Sequence, residues 1–288
     1  MSLDLTNLSV YTQENTDLIA EAILGTDVLA NVSVRTGVSV GTTTINIFNA
    51  DFSDSARACG WNPDGDLTFD QIPVTVDDRQ IKQEACPVTL RDYWMAERMN
   101  PGESGNEELP FAEVIASYYL AGIQKNIEDF VGAELISLIT LLNGANVPAG
   151  AAVLTVSNAI DQLNNIYDAL DPRVQMRNDV VFVMSPANYR IAVRALVAAD
   201  LIHYSFADGK QEVYLPGTDA KLVKSSGFVG SDAIVAFPKE YVIFATGLEG
   251  EDNFKMFYVE SDDVVKMTAY YRRGLGIYSK DQLATNGL

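Results

Sequence analysis

One run of helical periodicity, from Pro110 to Leu142, constrains this chain more than any other feature. Pro110 stands in the first turn, where a missing N–H is tolerated. Behind it Phe111, Ile115, Tyr119, Ile123, Ile127, Val131, Leu135 and Ile139 recur every fourth residue, widened by Val114, Tyr118, Phe130, Leu138 and Leu142. Steps of four overshoot a helical turn by roughly 40°, so the stripe winds and successive stretches face different partners. Glu113, Gln124, Lys125, Glu128 and Asp129 fill the polar positions. At ~1.5 Å per residue such a helix reaches on the order of 50 Å, a strut longer than an ordinary compact domain needs.

Lys125, Glu128, Asp129 and Glu134 break the apolar run well short of the ~20 residues a membrane span requires. A coiled coil fits poorly, because the stripe does not alternate steps of three and four and because Gly122 and Gly132 each weaken an isolated helix by roughly 1 kcal/mol. The expectation is a helix packed on sheet and loop elements of its own chain.

Composition excludes other classes. The 288 residues, 48% hydrophobic, suffice for one large or two modest domains with a real core. Lys+Arg 20 against Asp+Glu 39 leaves a formal charge of -19, which argues against nucleic-acid binding through a basic surface. Copies of so acidic a chain repel, so any assembly must bury apolar surface or set its few cations against acidic neighbours. Cys59 and Cys86 give neither a metal spacing nor a secreted disulfide framework, and two ordinary thiols are expected, with one disulfide left open. MSLDLTNLSVYTQ lacks the basic start and apolar core of a signal peptide, which sets the expectation of a cytoplasmic origin.

In chain order, Asn15 can cap a short helix with Leu18, Ile19, Ala22 and Ile23 inward and Gly25 at its end. From Val32 to Trp94 the pattern turns to period two. Ile45 and Ile47 alternate with Thr44 and Asn46, and Ile72, Val74 and Val76 with Pro73, Thr75 and Asp77. Two strands around the acidic tip ADFSDSARACGWNPDGD describe a long hairpin with little core of its own, an arm that has to lie on some other surface. NPGESGNEELP is a loop and NGANVPAGAA a boundary. A compact α/β segment follows. Ser157 is the expected cap of a helix with Ile160, Leu163, Ile166 and Leu170 inward, stopped by Asp171 and Pro172; Val180 to Met184 is a strand buried on both faces; Ser185 and Pro186 open a helix presenting Ile191, Val193 and Leu196. Short strands are expected at Lys221 to Lys224, Ala233 to Phe237 and Tyr241 to Ala245. Phe254 to Tyr278 alternates again, as antiparallel strands joined by an acidic turn at Glu260 to Asp263 and able to pack beside the strut.

No catalytic, cofactor-binding or metal residues are predicted. His203 is the sole histidine, set among apolar and aromatic residues in DLIHYSF, and packing is its expected role. Phosphate-loop, dinucleotide and C-x-x-C motifs are absent, and Gly274-Leu275-Gly276 reads as a bend in a strand. Asn62, Asp64 and Asp66 with Gly65, and Glu249, Glu251 and Asp252, depart from the calcium-loop order and read as solvated turns. Arg272 and Arg273 beside Tyr270 and Tyr271 form the notable basic-aromatic spot, either the exposed row of a strand or a contact for an acidic neighbour or a phosphate.

The helix PFAEVIASYYLAGIQKNIEDFVGAELISLI, the passage VVFVMSPANYRIAVRAL, the turn and strand YLPGTDAKLV and the closing VVKMTAYYRRGLGIYSKDQL, in this order, resemble the HK97-type major capsid protein of tailed double-stranded DNA phages. The resemblance implies an α+β, HK97-like capsid fold: an N-arm over residues 1–37, an E-loop hairpin over 38–85, a P domain with the long spine helix over 86–150, an A domain over 151–245, and a returning P-domain sheet and C-terminus over 246–288. It implies a non-enzymatic subunit, without cofactor, forming hexamers and pentamers of an icosahedral shell around phage DNA, assembled in the host cytoplasm. Implied partners are further copies of itself, a portal, decoration proteins and a scaffolding protein, the last because only a short arm precedes the hairpin. Packaged DNA would slide over an acidic lining without sequence-specific binding, and no membrane is implied. Some members crosslink subunits through a lysine and an asparagine; Lys82 lies near the E-loop, but no crosslink is predicted. An encapsulin-like nanocompartment shell is the nearest alternative, and a soluble α/β enzyme with a pocket near Ser185 the alternative from a different class.

Overall fold

The strut forms in the computed structural model as α1, Phe111–Ile139, 29 residues and about 43 Å long. The model describes residues 26–51, 66–86, 111–139, 147–148, 150, 152–201, 204–207, 210–247, 253–278 and 282–288. Pro110, the helix expected at Asn15 to Gly25 and the loop NPGESGNEELP lie outside the described residues. Ile115, Tyr119, Ile123, Ile127, Val131 and Leu135 are all buried, so the four-residue stripe is the packed face. Tyr118 is not part of it and is 62% exposed. It lies on the side of Ile115 that the winding stripe leaves behind, since each step of four turns the buried face about 40° the other way.

In chain order the strands are β1 (Ser33–Arg35), β2 (Gly41–Asp51), β3 (Asp66–Ala85), β4 (Val180–Met184), β5 (Tyr204–Ala207), β6 (Lys210–Tyr214), β7 (Lys221–Lys224), β8 (Ile234–Pro238), β9 (Val242–Ala245), β10 (Asn253–Val259), β11 (Val264–Ile277) and β12 (Ala284–Thr285). The first sheet is built on β11. Along one edge β11 pairs with β3 from Thr75 to Ala85; along the other it pairs first with β10 and then, from Gly274 to Ile277, with β9. β1 adds in parallel beside β9, and β2 pairs with β3 from Asp66 to Val76. The acidic turn joins β10 to β11 as expected, with Asp263 in the left-handed region at φ 50.

The second sheet runs β12-β8-β4-β7-β6-β5. Every residue of β4 is buried, the mark of a strand covered on both faces. Val181 and Val183 join the core of α1, whereas Val180, Phe182 and Met184 face a second core under α2 (Ala159–Asp168) and α4 (Pro186–Ala198), with the short α3 (Pro172–Gln175) between them in sequence.

Several local expectations shift by a residue or change role. Asn158, not Ser157, stands at the start of α2, and its side chain is turned back to accept from the Thr155 amide at 2.7 Å; Ser157 Oγ lies 3.1 Å from Thr155 Oγ1. Asp171 and Pro172 open a helix rather than merely stopping one: the Asp171 carboxylate accepts from the Arg173 amide at 2.7 Å. Ser185 caps α4 as expected, accepting from the Asn188 amide at 3.2 Å, but Ala192, Ala195 and Leu196 are its buried face while Ile191 and Val193 are half-buried. β9 starts at Val242 because Lys239–Tyr241 first makes a 3-10 turn.

α1 meets the second sheet through a 3-10 turn, Ser226–Phe228, after β7. There Gly132 faces Gly227 with no side chain between: a Cβ on Gly132 would stand 2.5 Å from the Gly227 Cα. Gly132→Ala is therefore expected to destabilise the subunit in urea unfolding, even though alanine is the better helix former by about 1 kcal/mol. Gly122→Ala, where a Cβ meets nothing within 4 Å, is expected to stabilise by up to that amount.

Candidate functional site: the hairpin and the helix–sheet junction

β2 and β3 form a ribbon of paired residues from Gly41↔Val76 out to Asp51↔Asp66. Near its base Val74 and Val76 are buried, packed with Ile243 and Ala245 in a small separate core. Farther out the described side chains are polar and exposed. Thr44, Asn46, Gln71 and Pro73 all face solvent in the single chain, with Gln71 Nε2 donating to Asn46 Oδ1 at 3.1 Å. Pro73 cannot donate to a ladder and is at home in a two-stranded ribbon. Ile45 pairs with Ile72 and Phe48 with Phe69 along the same ribbon, and a two-stranded ribbon is marginal in water by itself.

What fixes the ribbon is that β3 does not end at its base. The same 20-residue strand continues into the first sheet, and Thr75 and Val76 pair with β2 on one side and β11 on the other. Gly274 and Gly276 sit in β11 at this crossing. Both glycines lie within the paired length of β11, and their missing side chains make room: a Cβ on Gly274 would stand 2.6 Å from the Thr75 carbonyl oxygen.

α1 is locked on this sheet by polar contacts on its flank. Tyr119 stacks near Phe254, centroids 5.2 Å apart, and its hydroxyl donates to the Ile81 carbonyl at 2.9 Å. Burial, with the neighbouring Tyr271 adding to it, pushes the Tyr119 hydroxyl up to about 12. Alternation divides the basic-aromatic row. Tyr271 and Arg273 turn toward α1, where both donate to Asn126 Oδ1, at 2.9 and 2.7 Å, and the Arg273 guanidinium lies 4.2 Å from the Phe130 ring centroid. Burial lowers the Arg273 guanidinium from its ordinary value. Tyr270 is 39% exposed, and Arg272 reaches toward Asp78 at 4.0 Å. Tyr270 and Arg272 thus form the outer half of the row.

A second clamp joins the two sheets. Arg177 donates two hydrogen bonds to Asp179, at 2.7 and 2.8 Å, and a third to Glu240 at 2.5 Å, and lies over the Tyr241 ring, which stacks on Tyr278 at the end of β11. Arg177 holds the Asp179 carboxyl below the usual carboxylate range, against the opposing effect of burial. On β6 and β7, Glu212 bonds Lys221 and accepts from the Tyr214 hydroxyl, and the carboxylate pushes that hydroxyl up to about 12.

Among the described residues no group of three or more His, Cys, Asp or Glu is placed to hold a metal ion, and no helix is long and apolar enough to cross a membrane. His203, Cys59, Asn62, Asp64, Gly65, Glu249, Glu251 and Asp252 lie outside the described residues. Cys86 is a free, exposed thiol, and Lys82 stands exposed in β3 opposite Thr268.

No family model and no curated protein sequence matches the chain. Solved structures do. A satellite phage P4 procapsid chain, in a structure that includes a size determination protein, superposes with a TM-score of 0.55 at 13% identity, over 95% of this chain and 98% of that one. A capsid chain of the cyanophage P-SCSP1u gives 0.53 at 13% identity, over 88% and 85%. A virus-like particle chain from Pyrococcus furiosus gives 0.51 at 11% identity, over 96% and 98%. At these identities the likeness establishes architecture. The chain has the α+β, HK97-like capsid fold.

Asn126→Ala leaves the Tyr271 hydroxyl and Arg273 without their shared acceptor and is expected to cost about 1–2 kcal/mol in urea unfolding, whereas Asn126→Asp, which keeps an acceptor oxygen for both, is expected to lose much less. Because the folded-state Asp179 carboxyl titrates below its unfolded value of about 4, its contribution is full above that pH and is lost as pH falls below it. Asp179→Asn is expected to lower stability at neutral pH and to flatten the decline of melting temperature below about pH 4.

Proposed function

We propose that this chain is a major capsid protein that self-assembles into hexamers and pentamers of an icosahedral shell enclosing phage double-stranded DNA. The observation that carries the reading is the outer hairpin, an extended two-stranded ribbon on which Thr44, Asn46, Gln71 and Pro73 are exposed and which continues through β3 into the first sheet. Such an arm makes sense once a neighbouring copy supplies the surface beneath it. A fold shared with capsid and virus-like-particle chains supports the same conclusion.

On this reading residues 1–37 are the N-arm, 38–85 the E-loop, 86–150 and 246–288 the P domain, and 151–245 the A domain around the capsomer axis. The subunit performs no catalysis and carries no cofactor. A scaffolding protein, a portal and decoration proteins are its partners in the virion, and assembly takes place in the host cytoplasm. The charge of -19 gives a lining over which DNA is packed without tight binding.

Negative-stain electron microscopy with light scattering on the purified protein tests the proposal. Closed shells, tubes or rings of five or six subunits are expected. A monomer or dimer that never assembles, even with crowding agents or a scaffolding protein, overturns it. Shells that enclose a protein cargo and no nucleic acid would identify a nanocompartment instead.

A further inference from the structure

The face of the first sheet that α1 does not cover reverses the charge balance of the chain. β10, β11 and β3 lie side by side there, and their register sets side chains in rows across the strands. One row is Lys255, Thr268 and Lys82; Phe257 stands in the row before it and Tyr270 in the row after, each aromatic 39% exposed. Among the described residues, the cations Lys82, Lys255, Lys266 and Arg272 share this face with the acids Glu84 and Asp78, in a chain of net charge -19. Lys266 bonds Asp262 in the turn at 3.0 Å, and Arg272 reaches toward Asp78. Lys82 and Lys255 are exposed and make no ion pair with a described residue.

The stretch of the chain that complements this patch is the hairpin tip, acidic and aromatic. It carries Asp51, Asp54, Asp64 and Asp66 against Arg57, with Phe52 and Trp61 among them. The loop NPGESGNEELP is also acidic but holds no aromatic residue. A tip cannot reach the patch of its own subunit. β3 is one strand from Asp66 to Ala85, so Lys82 lies 16 residues beyond the start of the tip, about 53 Å away at ~3.3 Å per residue. The 14 residues between the paired Asp51 and Asp66 can double back over at most about 24 Å, half their number at ~3.4 Å each. Any tip on the patch therefore comes from a second copy.

We infer that the outer face of the first sheet, at Lys82, Lys255, Phe257 and Tyr270, receives the hairpin tip of a second copy. The inference rests on the shell reading above and names the surface on which the arm lies. The unpaired lysines attract the aspartates of the tip, and the exposed aromatic rings supply the apolar area that protein contacts favour. Copies of so acidic a chain repel in most juxtapositions, so a face where cations outnumber acids sets which one is favoured. The contact joins two different patches and passes from copy to copy, closing into a ring where the rotation between copies is right. Packaged DNA also attracts lysines, but Glu84 and Asp78 on the same face repel phosphates.

Charge reversal and crosslinking test this together. Lys82→Glu with Lys255→Glu, and separately Asp54→Lys with Asp64→Lys, are each expected to reduce the yield of shells and rings about tenfold, read by sedimentation and electron microscopy. Circular dichroism and melting temperature of the lysine variant should stay native, because both lysines are exposed. Carrying all four changes in one chain restores the opposite-charge pairing and is expected to recover most of the yield. Lys255→Cys with Cys86→Ser reads the contact directly. In assembled particles of that variant a short bis-maleimide, which adds to two thiols, is expected to join Cys59 of one copy to the introduced thiol of the next, giving covalent dimers and longer ladders on a denaturing gel. Cys86→Ser alone, and the same variant with Cys59→Ser added, should give no ladder. Normal assembly of the Lys82→Glu/Lys255→Glu variant, with or without a loss of packaged nucleic acid, overturns this contact and leaves the shell reading standing. The same holds if the four-change chain keeps its native melt yet fails to recover, or if assembled Lys255→Cys particles give no ladder. A wild-type protein that does not assemble overturns the shell reading itself.

Discussion

The apolar stripe of α1 is buried against both sheets at once, and the two sheets share a core through it. Ile123, Ile127, Val131 and Leu135 lie in one cluster with Val181, Val183, Val235 and Phe237 of the second sheet and with Val265, Met267, Ala269 and Tyr271 of the first. Each such side chain contributes roughly 1.5–3 kcal/mol when fully buried, against about 1–2 kcal/mol of backbone entropy per ordered residue. A helix that spread its apolar residues around its circumference would face water on one side. The winding stripe lets different turns face different sheets, and the Gly132–Gly227 approach, with Ser226 Oγ donating to Glu128 at 2.5 Å, sets the height at which the helix crosses the second.

With the helix and two sheets fixed to one another, the remaining apolar surface is small. Val74, Val76, Ile243 and Ala245 close a minor core on the far face of the first sheet, directly over the glycines of β11. Beyond it the hairpin continues as a two-stranded ribbon, with Thr44, Asn46, Gln71 and Pro73 exposed.

Much of this was legible in the sequence. The period-four stripe marked the buried face of α1 from Ile115 to Leu135, VVFVM marked β4 to its ends, and alternation placed β2, β3, β10 and β11. Those signals are strong because burial dictates residue type. The failures occurred where burial does not decide. Asn158 rather than Ser157 begins α2 because two neighbouring polar residues both suit the site; Asp171-Pro172 opens a helix because the same pair serves as stop and as start. The Arg272–Arg273 row was ambiguous because alternation puts one guanidinium on Phe130 and the other outside, and only the register with β3 and the nearness of Asn126 settle which.

β3 belongs to the hairpin and to the sheet in equal measure, and this has a mechanical side. Where Thr75 and Val76 are hydrogen-bonded on both edges the strand is clamped like the fixed end of a cantilever; outward from there it is a two-stranded ribbon, the form of β-structure that coils most freely. Each strand of the ribbon is bonded along one edge, whereas β11 behind it is bonded along both, so the arm is the part that twists more readily.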